Sequence, residues 1–358
     1  MADVARVASV THGDEVKMTI PGSELEIHET ETPVEDDAVV SVAGRSPTQL
    51  AIARFRADKL SMISFVLTAF IIICAIAAPI LVALGVLAPN EQHQNLLSAD
   101  GVVPEGAFGG ISWSHPFGVD PGLGRDLLAR LMLAITSSLT IALTGTIITV
   151  VIGAILGIVA GFSGGFVDAV VGRIIDLTLS FPQTLMLLAL SGPVVVMIRG
   201  DVSDFPGLGF FSNPDLANGA FVIVILAAFG WPPVARVVRG QVLSIREREF
   251  IEAARLLGAS RRRLYFKEVL PNVWAPVLVY VTLLVPAYIS AEAAFNFLGV
   301  GIKPPTPTLG NILADSVSYT SADPTYFFLP GALLALIVVV FNLVGDGARD
   351  ALDPKSHR

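Results

Sequence analysis

The 358 residues are 53% hydrophobic and only 15% charged, and the mean hydropathy is +0.70. Soluble domains carry about a quarter of their residues as charged side chains, so this composition excludes a water-soluble enzyme and points to an exterior that faces lipid. The net charge of −8 describes an appendage: residues 1–50 hold ten acids and three bases, while residues 51–358 hold 20 bases and 21 acids.

In chain order, residues 1–50 come first. They are rich in Thr, Glu and Asp and lack a sustained period, which predicts a disordered, acidic, cytoplasmic tail. No basic segment leads into an apolar one at the start, so no cleaved signal segment is expected. The first apolar run begins near Ile63 and reads as a span that stays. Six stretches then approach the roughly 20 apolar residues that cross a bilayer: 63–87, 136–159, 174–197, 220–238, 273–297 and 327–344. Backbone polar groups in hydrocarbon must be bonded within the segment, so each stretch is predicted to be a helix, with kinks at Pro79, Pro193, Pro276 and Pro286. The expected organisation is a six-span body over 51–345 and a cytoplasmic tail over 346–358. Ahead of the second span, residues 125–131 place apolar side chains at helical spacing and predict a short interfacial helix.

Lysine and arginine set the orientation. Arg236, Arg239, Arg246, Arg248, Arg255, Arg261, Arg262, Arg263 and Lys267 cluster at the connection of spans four and five. Arg54, Arg56 and Lys59 precede span one, and Arg349, Lys355 and Arg358 follow span six. Six spans put all three groups on one side, which is predicted to be cytoplasmic. Residues 88–135, 198–219 and 298–326 then lie on the opposite side.

Cys74 is the single cysteine, so an intrachain disulfide and a cysteine-based metal site are both excluded. No Gly-Lys pair occurs; a GxxxxGK[ST] phosphate loop is absent, and the chain is not expected to bind ATP by that route. Gly161-Phe162-Ser163-Gly164-Gly165 matches GxSxG, but it lies between two apolar helices and the only later histidine is His357, so it reads as a glycine-rich turn rather than a nucleophile. Gly153, Gly157 and Gly161 recur every four residues on one face of span two and are predicted to let another helix approach closely. Asp176 lies one turn from Arg173 and predicts an interfacial ion pair. Glu292 falls within span five with no obvious local partner. An ionisable group there is costly and often functional, so it is a candidate pathway residue, with a purely structural role left open.

The connection over 246–271 is the most informative. Glu252, Ala253, Ala254 and Arg255 belong to a helix expected to end at Gly258. After Ala259, Ser260 can cap a second short helix, and Leu270-Pro271 is expected to close the unit before span five. Phe250, Ile251, Ala254 and Leu257 fall at spacings of three and four, on a face suited to a groove.

This segment, EAARLLGASRRRLYFKEVLPN, resembles the EAA loop of ABC importer permeases. Four further stretches are similar to the C-type permease subunit of the dipeptide/oligopeptide branch: HPFGVDPGLGRDLLARLM, GFSGGFVDAVVGRIIDLTLSFP, FNFLGVGIKPPTPTLGNIL and GDGARDALDPK. The five occur in family order and cover about 50–358. Val119 departs from the usual Thr and Leu309 from the common Trp, and the outer loop 198–219 is longer than the branch pattern. The resemblance implies an all-α type I ABC importer permease fold in a bacterial cytoplasmic (inner) membrane. It implies a homologous B-type permease subunit as partner, one or two ABC ATPase subunits that use ATP and Mg²⁺, and an extracytoplasmic substrate-binding protein. Lipid surrounds the chain, and no nucleic acid or bound cofactor is expected on it. In that reading Glu252–Gly258, with Ala259, Ser260, Leu270 and Pro271, couples the permease to the ATPases, and dipeptides or short oligopeptides are the cargo. A nickel complex, a haem-like compound or a short glycan is the alternative cargo. An intramembrane enzyme would need a nucleophile–base pair or an HExxH cluster, and the sequence offers neither. A channel or secondary transporter would move solute without ATPase partners.

Overall fold

The computed structural model describes residues 47–106, 108–199 and 213–352. The acidic tail through residue 46, residues 200–212 of the outer loop and residues 353–358 lie outside the described residues. Regular structure among the described residues is helical, apart from the isolated bridges Leu97–Pro104 and Val119–Asp126.

Helix α1 (Pro47–Ala57) starts inside the segment expected to be tail. Asp58 separates it from α2 (Lys59–Ala83), accepting from Ser61 N at 3.0 Å and from the Ser61 hydroxyl. These bonds hold the Asp58 carboxyl below its ordinary pKa and satisfy orphan donors of the first turn. The long connection over 84–126 leads to α3 (Leu127–Ser163). A separate interfacial helix over 125–131 does not form. Asp126 caps α3 directly, accepting from Ala129 N at 2.7 Å, and neither glycine nor proline interrupts 127–135. Those residues are therefore the first turns of a 37-residue helix.

The expected third span is broken. α4 (Gly165–Ser180) and α5 (Gln183–Arg199) meet at 86°. Phe181 is extended, at φ −95° and ψ 128°, as the residue before a proline prefers, and Pro182 supplies no N–H to continue the ladder. α6 (Pro214–Ile245) follows, then α7 (Glu249–Leu256) and α8 (Arg261–Arg263). A π-helical turn, Leu264–Val269, carries the chain into α9 (Leu270–Phe297). Leu270-Pro271 does not close the unit, because the chain stays helical from Arg261 to Phe297. Pro271 falls in the first turn of α9, where a missing N–H is tolerated. α10 (Leu309–Ser316) begins with a capping box between Thr308 and Asn311, and α11 (Pro324–Leu352) runs past the expected boundary at 345. Among the described residues, five helices are long and apolar enough to cross a membrane, or six if the bent α4–α5 pair is one span.

α3 and α6 form the centre, with 56% of the apolar window of each buried, against 22% for α2 and 17% for α11. α3 packs on α6 and α9, and α11 packs on α2 and α9. The core runs through Leu131, Ala142, Phe221, Leu226, Ile289 and Ile337. The helices define two ends. One carries α7 and α8, the end of α3 and the start of α9; the other carries the 84–126 connection, α10 and the start of α11.

Candidate functional site

The elbow formed by α7 and α8 is built by its caps. Gly258, at φ +78°, follows the C-cap of α7. Its N–H donates to Arg255 O at 2.9 Å, and Ala259 N donates to Ala254 O at 3.0 Å. This is the Schellman pattern, which needs a left-handed residue at that position. Ser260 then accepts from Arg263 N at 3.3 Å and starts α8. Glu252, Ala253, Arg255 and Ser260 are exposed, and Ala254 and Ala259 are half-buried.

The apolar face left open differs from the one the spacing predicts. Ile251 is fully buried and packs with Val242, Ile245, Val269 and Val273 in the chain's own core. Leu257 is the C-cap, so it has left the helical phase that would align it with Ile251. The apolar surface left open is Leu256 (84% exposed) and Leu257 (88%), with Phe250 at their flank.

The elbow is fastened to the end of α3. Tyr265 packs edge-on against Phe162 at 5.1 Å and its hydroxyl lies 3.2 Å from Ser163 Oγ. The Arg255 guanidinium sits 5.0 Å above the Phe162 ring, a cation–π arrangement. Arg246 Nη1 donates to Gly161 O at 3.2 Å. From there the glycine face runs back along α3 against α6. A Cβ on Gly153 would lie 2.6 Å from Val234 Cβ, one on Gly157 2.7 Å from Ala235 O, and one on Gly161 2.9 Å from Arg239 O. α4 is tied to α6 by Asp168 with the Arg239 fork and by Asp176 with Arg236 at 3.1 Å. The expected partner of Asp176, Arg173, is replaced by a residue that the fold brings from 60 positions away.

At the other end two polar clusters stand out. Glu292 is fully buried, accepting from Ser138 Oγ at 2.8 Å and from the Asn296 amide. Ser138 Oγ also accepts from Leu309 N at 3.2 Å, so one hydroxyl joins α3, α9 and the start of α10. The second cluster is a knot around Asp120. Arg125 grips it with Nε at 2.7 Å and Nη2 at 2.6 Å, and Arg130 Nε lies 3.5 Å from the same carboxylate. His115 Nδ1 is 2.6 Å from Asp126 Oδ2. Apart from Glu292, sequence reasoning gave none of these residues a role. Their one signal was the dense run of charge and glycine ahead of span two. No group of three or more His, Cys, Asp or Glu among the described residues is placed to hold a metal.

Apolar helices, a buried glycine seam and a projecting basic elbow define a multi-pass α-helical membrane protein. Two family models match: the binding-protein-dependent transport system inner membrane component over residues 153–358, and the N-terminal TM domain of oligopeptide transport permease C over residues 46–98. The chain is 32% identical to the dipeptide transport system permease protein DppC of Alkalihalophilus pseudofirmus, over 91% of this chain and 95% of that one. It is 34% identical to the oligopeptide transport system permease protein OppC of Bacillus subtilis, over 85% and 88%. A 140-residue segment, 39% of this chain and 48% of the other, is 48% identical to OppC of Mycobacterium tuberculosis. A solved inward-facing structure of the MetNI methionine ABC transporter is similar at TM-score 0.49 and 21% identity, covering 63% of this chain and 96% of that chain. The chain belongs to the family of binding-protein-dependent transport system inner membrane components. It is a permease subunit of the ABC importer class, a family whose members are generally non-catalytic.

Proposed function

We propose that this chain is the C-type permease of an ATP-driven importer of dipeptides or short oligopeptides. It forms half of the path with a homologous B-type permease, receives cargo from an extracytoplasmic binding protein, and is driven by one or two separate ATPase subunits. Both termini and the elbow face the cytoplasm of a bacterial cell. The peptide cargo rests on the relatives at 32–34% identity, whose names specify dipeptide and oligopeptide transport.

The observation that carries the coupling role is the elbow over 246–271. Leu256 and Leu257 project from a capped helical turn, free of contacts that would bury them, while Tyr265, Arg255 and Arg246 fasten that turn to α3. A groove on an ATPase that covers the two leucines would gain apolar burial, and its movement would be passed to the spans. ATP then shifts the balance between inward and outward openings only as far as the two forms differ in affinity for it. Glu292 contributes as a positioning group that holds α10 against α3 beside the path.

Gly258→Val tests the coupling role. No atom lies within 4 Å of a Cβ built at Gly258, so the substitution meets no clash; its cost is the left-handed backbone alone, about 1–3 kcal/mol for a residue that avoids it. Uptake of a labelled dipeptide by the complete importer should fall at least tenfold, with the protein still in the membrane. Gly258→Asn, which tolerates that backbone, should keep most uptake. Full uptake by Gly258→Val removes the coupling role. Strong uptake of nickel complexes, haem or glycans with no competition from dipeptides removes the cargo assignment.

A further inference from the structure

We propose that a cavity at the end opposite the elbow is a binding site for a small α-amino zwitterion, an amino acid or a dipeptide; the dipeptide form rests on the cargo reading above. The cavity lies between the turn over 121–125, α10 and the start of α11 and encloses about 310 Å³, the small end of the range for ligand pockets. Arg125 and Arg130, both buried, line it, and so do Asp315 and Leu123, both exposed. The basic groups therefore lie deep and the acidic one lies at the mouth.

The two guanidinium groups leave donors unused. Arginine carries five N–H donors. Arg125 commits Nε and Nη2 to Asp120, and Arg130 reaches Pro89 O and Asn90 Oδ1 from Nη1 alone, at 3.3 and 3.4 Å. Arg125 Nη1 and Arg130 Nη2 have no hydrogen bond among the described residues, and neither is sealed in as Arg130 Nε is. Both side chains line the cavity, so an occupant can reach these terminal nitrogens. Asp120 serves both arginines, which leaves one positive charge over at the floor, and a buried charge is costly without a partner. A carboxylate supplies two acceptor oxygens to such a pair. Asp315 then selects the kind of carboxylate. It forms no ion pair with either arginine among the described residues, and its Oδ2 accepts from the Tyr326 hydroxyl at 2.8 Å while Oδ1 stays free. A phosphate or an acidic protein loop entering the mouth would be repelled by this carboxylate. A ligand with an ammonium group at its other end would be held by it.

The test is equilibrium binding of radiolabelled dialanine to the complete permease–ATPase complex in nanodiscs, without ATP or binding protein. Wild type should bind dialanine at least tenfold more tightly than dialanine amide, which lacks the carboxylate. It should prefer dialanine at least fivefold over N-acetyl-dialanine, which lacks the ammonium. Asp315→Asn keeps the oxygen that accepts from Tyr326 and should abolish the second preference while keeping the first. Leu123→Trp, at an exposed position, fills the mouth and should remove about one bound peptide per copy of this chain. Equal binding of dialanine and its amide by wild type, or an unchanged stoichiometry in Leu123→Trp, overturns the proposal. So does an Asp315→Asn variant that still prefers the free ammonium, or a Leu123→Trp variant that loses affinity for the binding protein and for no peptide. Dipeptide uptake by the wild-type importer is measured alongside. Uptake without binding at this cavity sinks the site and leaves the cargo reading intact; binding without uptake does the reverse.

Discussion

The consequence of a single side chain in this bundle depends on what its neighbours can give. Gly157 faces Ala235 O and Val238 Cβ, which would lie 2.7 and 2.8 Å from an added Cβ. A backbone carbonyl cannot swing aside, so Gly157→Leu must push α3 and α6 apart. The expected loss is about 1–3 kcal/mol, read as a lower thermal midpoint of the purified protein in detergent. Gly172, also helical, has nothing within 4 Å, and Gly172→Leu should leave the midpoint unchanged. Ser138→Ala would leave both Glu292 Oε2 and Leu309 N short of a partner and should cost about 1–3 kcal/mol by the same measurement. The glycine spacing was readable because a four-residue period is a local pattern. The Glu292 arrangement was readable in part: Asn296 lies one turn on, but Ser138 is 154 residues away, and no local pattern reports a contact of that range. Asp176 marks the same limit, since Arg173 was the neighbour in sequence and Arg236 is the neighbour in space.

At the scale of elements, hydropathy found the spans and chain chemistry decided their breaks. A run of apolar residues across 174–197 hides a bend of 86°, because hydropathy averages over Phe181-Pro182 while the backbone cannot. The opposite error occurred at 125–131, where a charged, helical-looking segment ran into α3 instead of lying apart, since Asp126 caps α3 directly and no glycine or proline interrupts 127–135. At the elbow the helix and its glycine end were legible from the cap alone. The face left open was not, because an eight-residue helix turns too few times for spacing to say which side its own core takes. Leu256→Asp with Leu257→Asp replaces the open apolar surface by charge. Truncating buried anchors costs about 1–3 kcal/mol each, so co-purification of ATPase subunits with this permease should fall at least tenfold. Ile251→Asp should act differently. It places an unpaired carboxylate among Val242, Val269 and Val273 and should reduce the amount of folded permease itself, seen as loss of a monodisperse peak in size-exclusion chromatography.

Across the whole molecule, the two ends differ in kind. The elbow end gathers Arg246, Arg255, Arg261, Arg262, Arg263 and Lys267 around exposed leucines. At the opposite end Asp120, Arg125, Arg130 and Glu292 are buried, and aromatic rings such as Phe108 and Trp113 are left outside. Arginine and lysine favour the cytoplasmic side during insertion, so the asymmetry predicts a cytoplasmic elbow, the orientation that a coupling role requires. Cysteine labelling separates the two orientations once Cys74, the only thiol, is replaced by serine. With a membrane-impermeant maleimide, Trp113→Cys should react in intact cells. Lys267→Cys and Arg349→Cys, both exposed and at the other end, should react only after lysis. Using two positions guards against an ATPase covering the elbow, because Arg349 lies at the end of α11 rather than on α7 or α8. If Lys267→Cys reacts in intact cells while Trp113→Cys stays silent, the elbow lies outside. No cytoplasmic ATPase could then reach it, whatever the similarity of its sequence to a coupling loop.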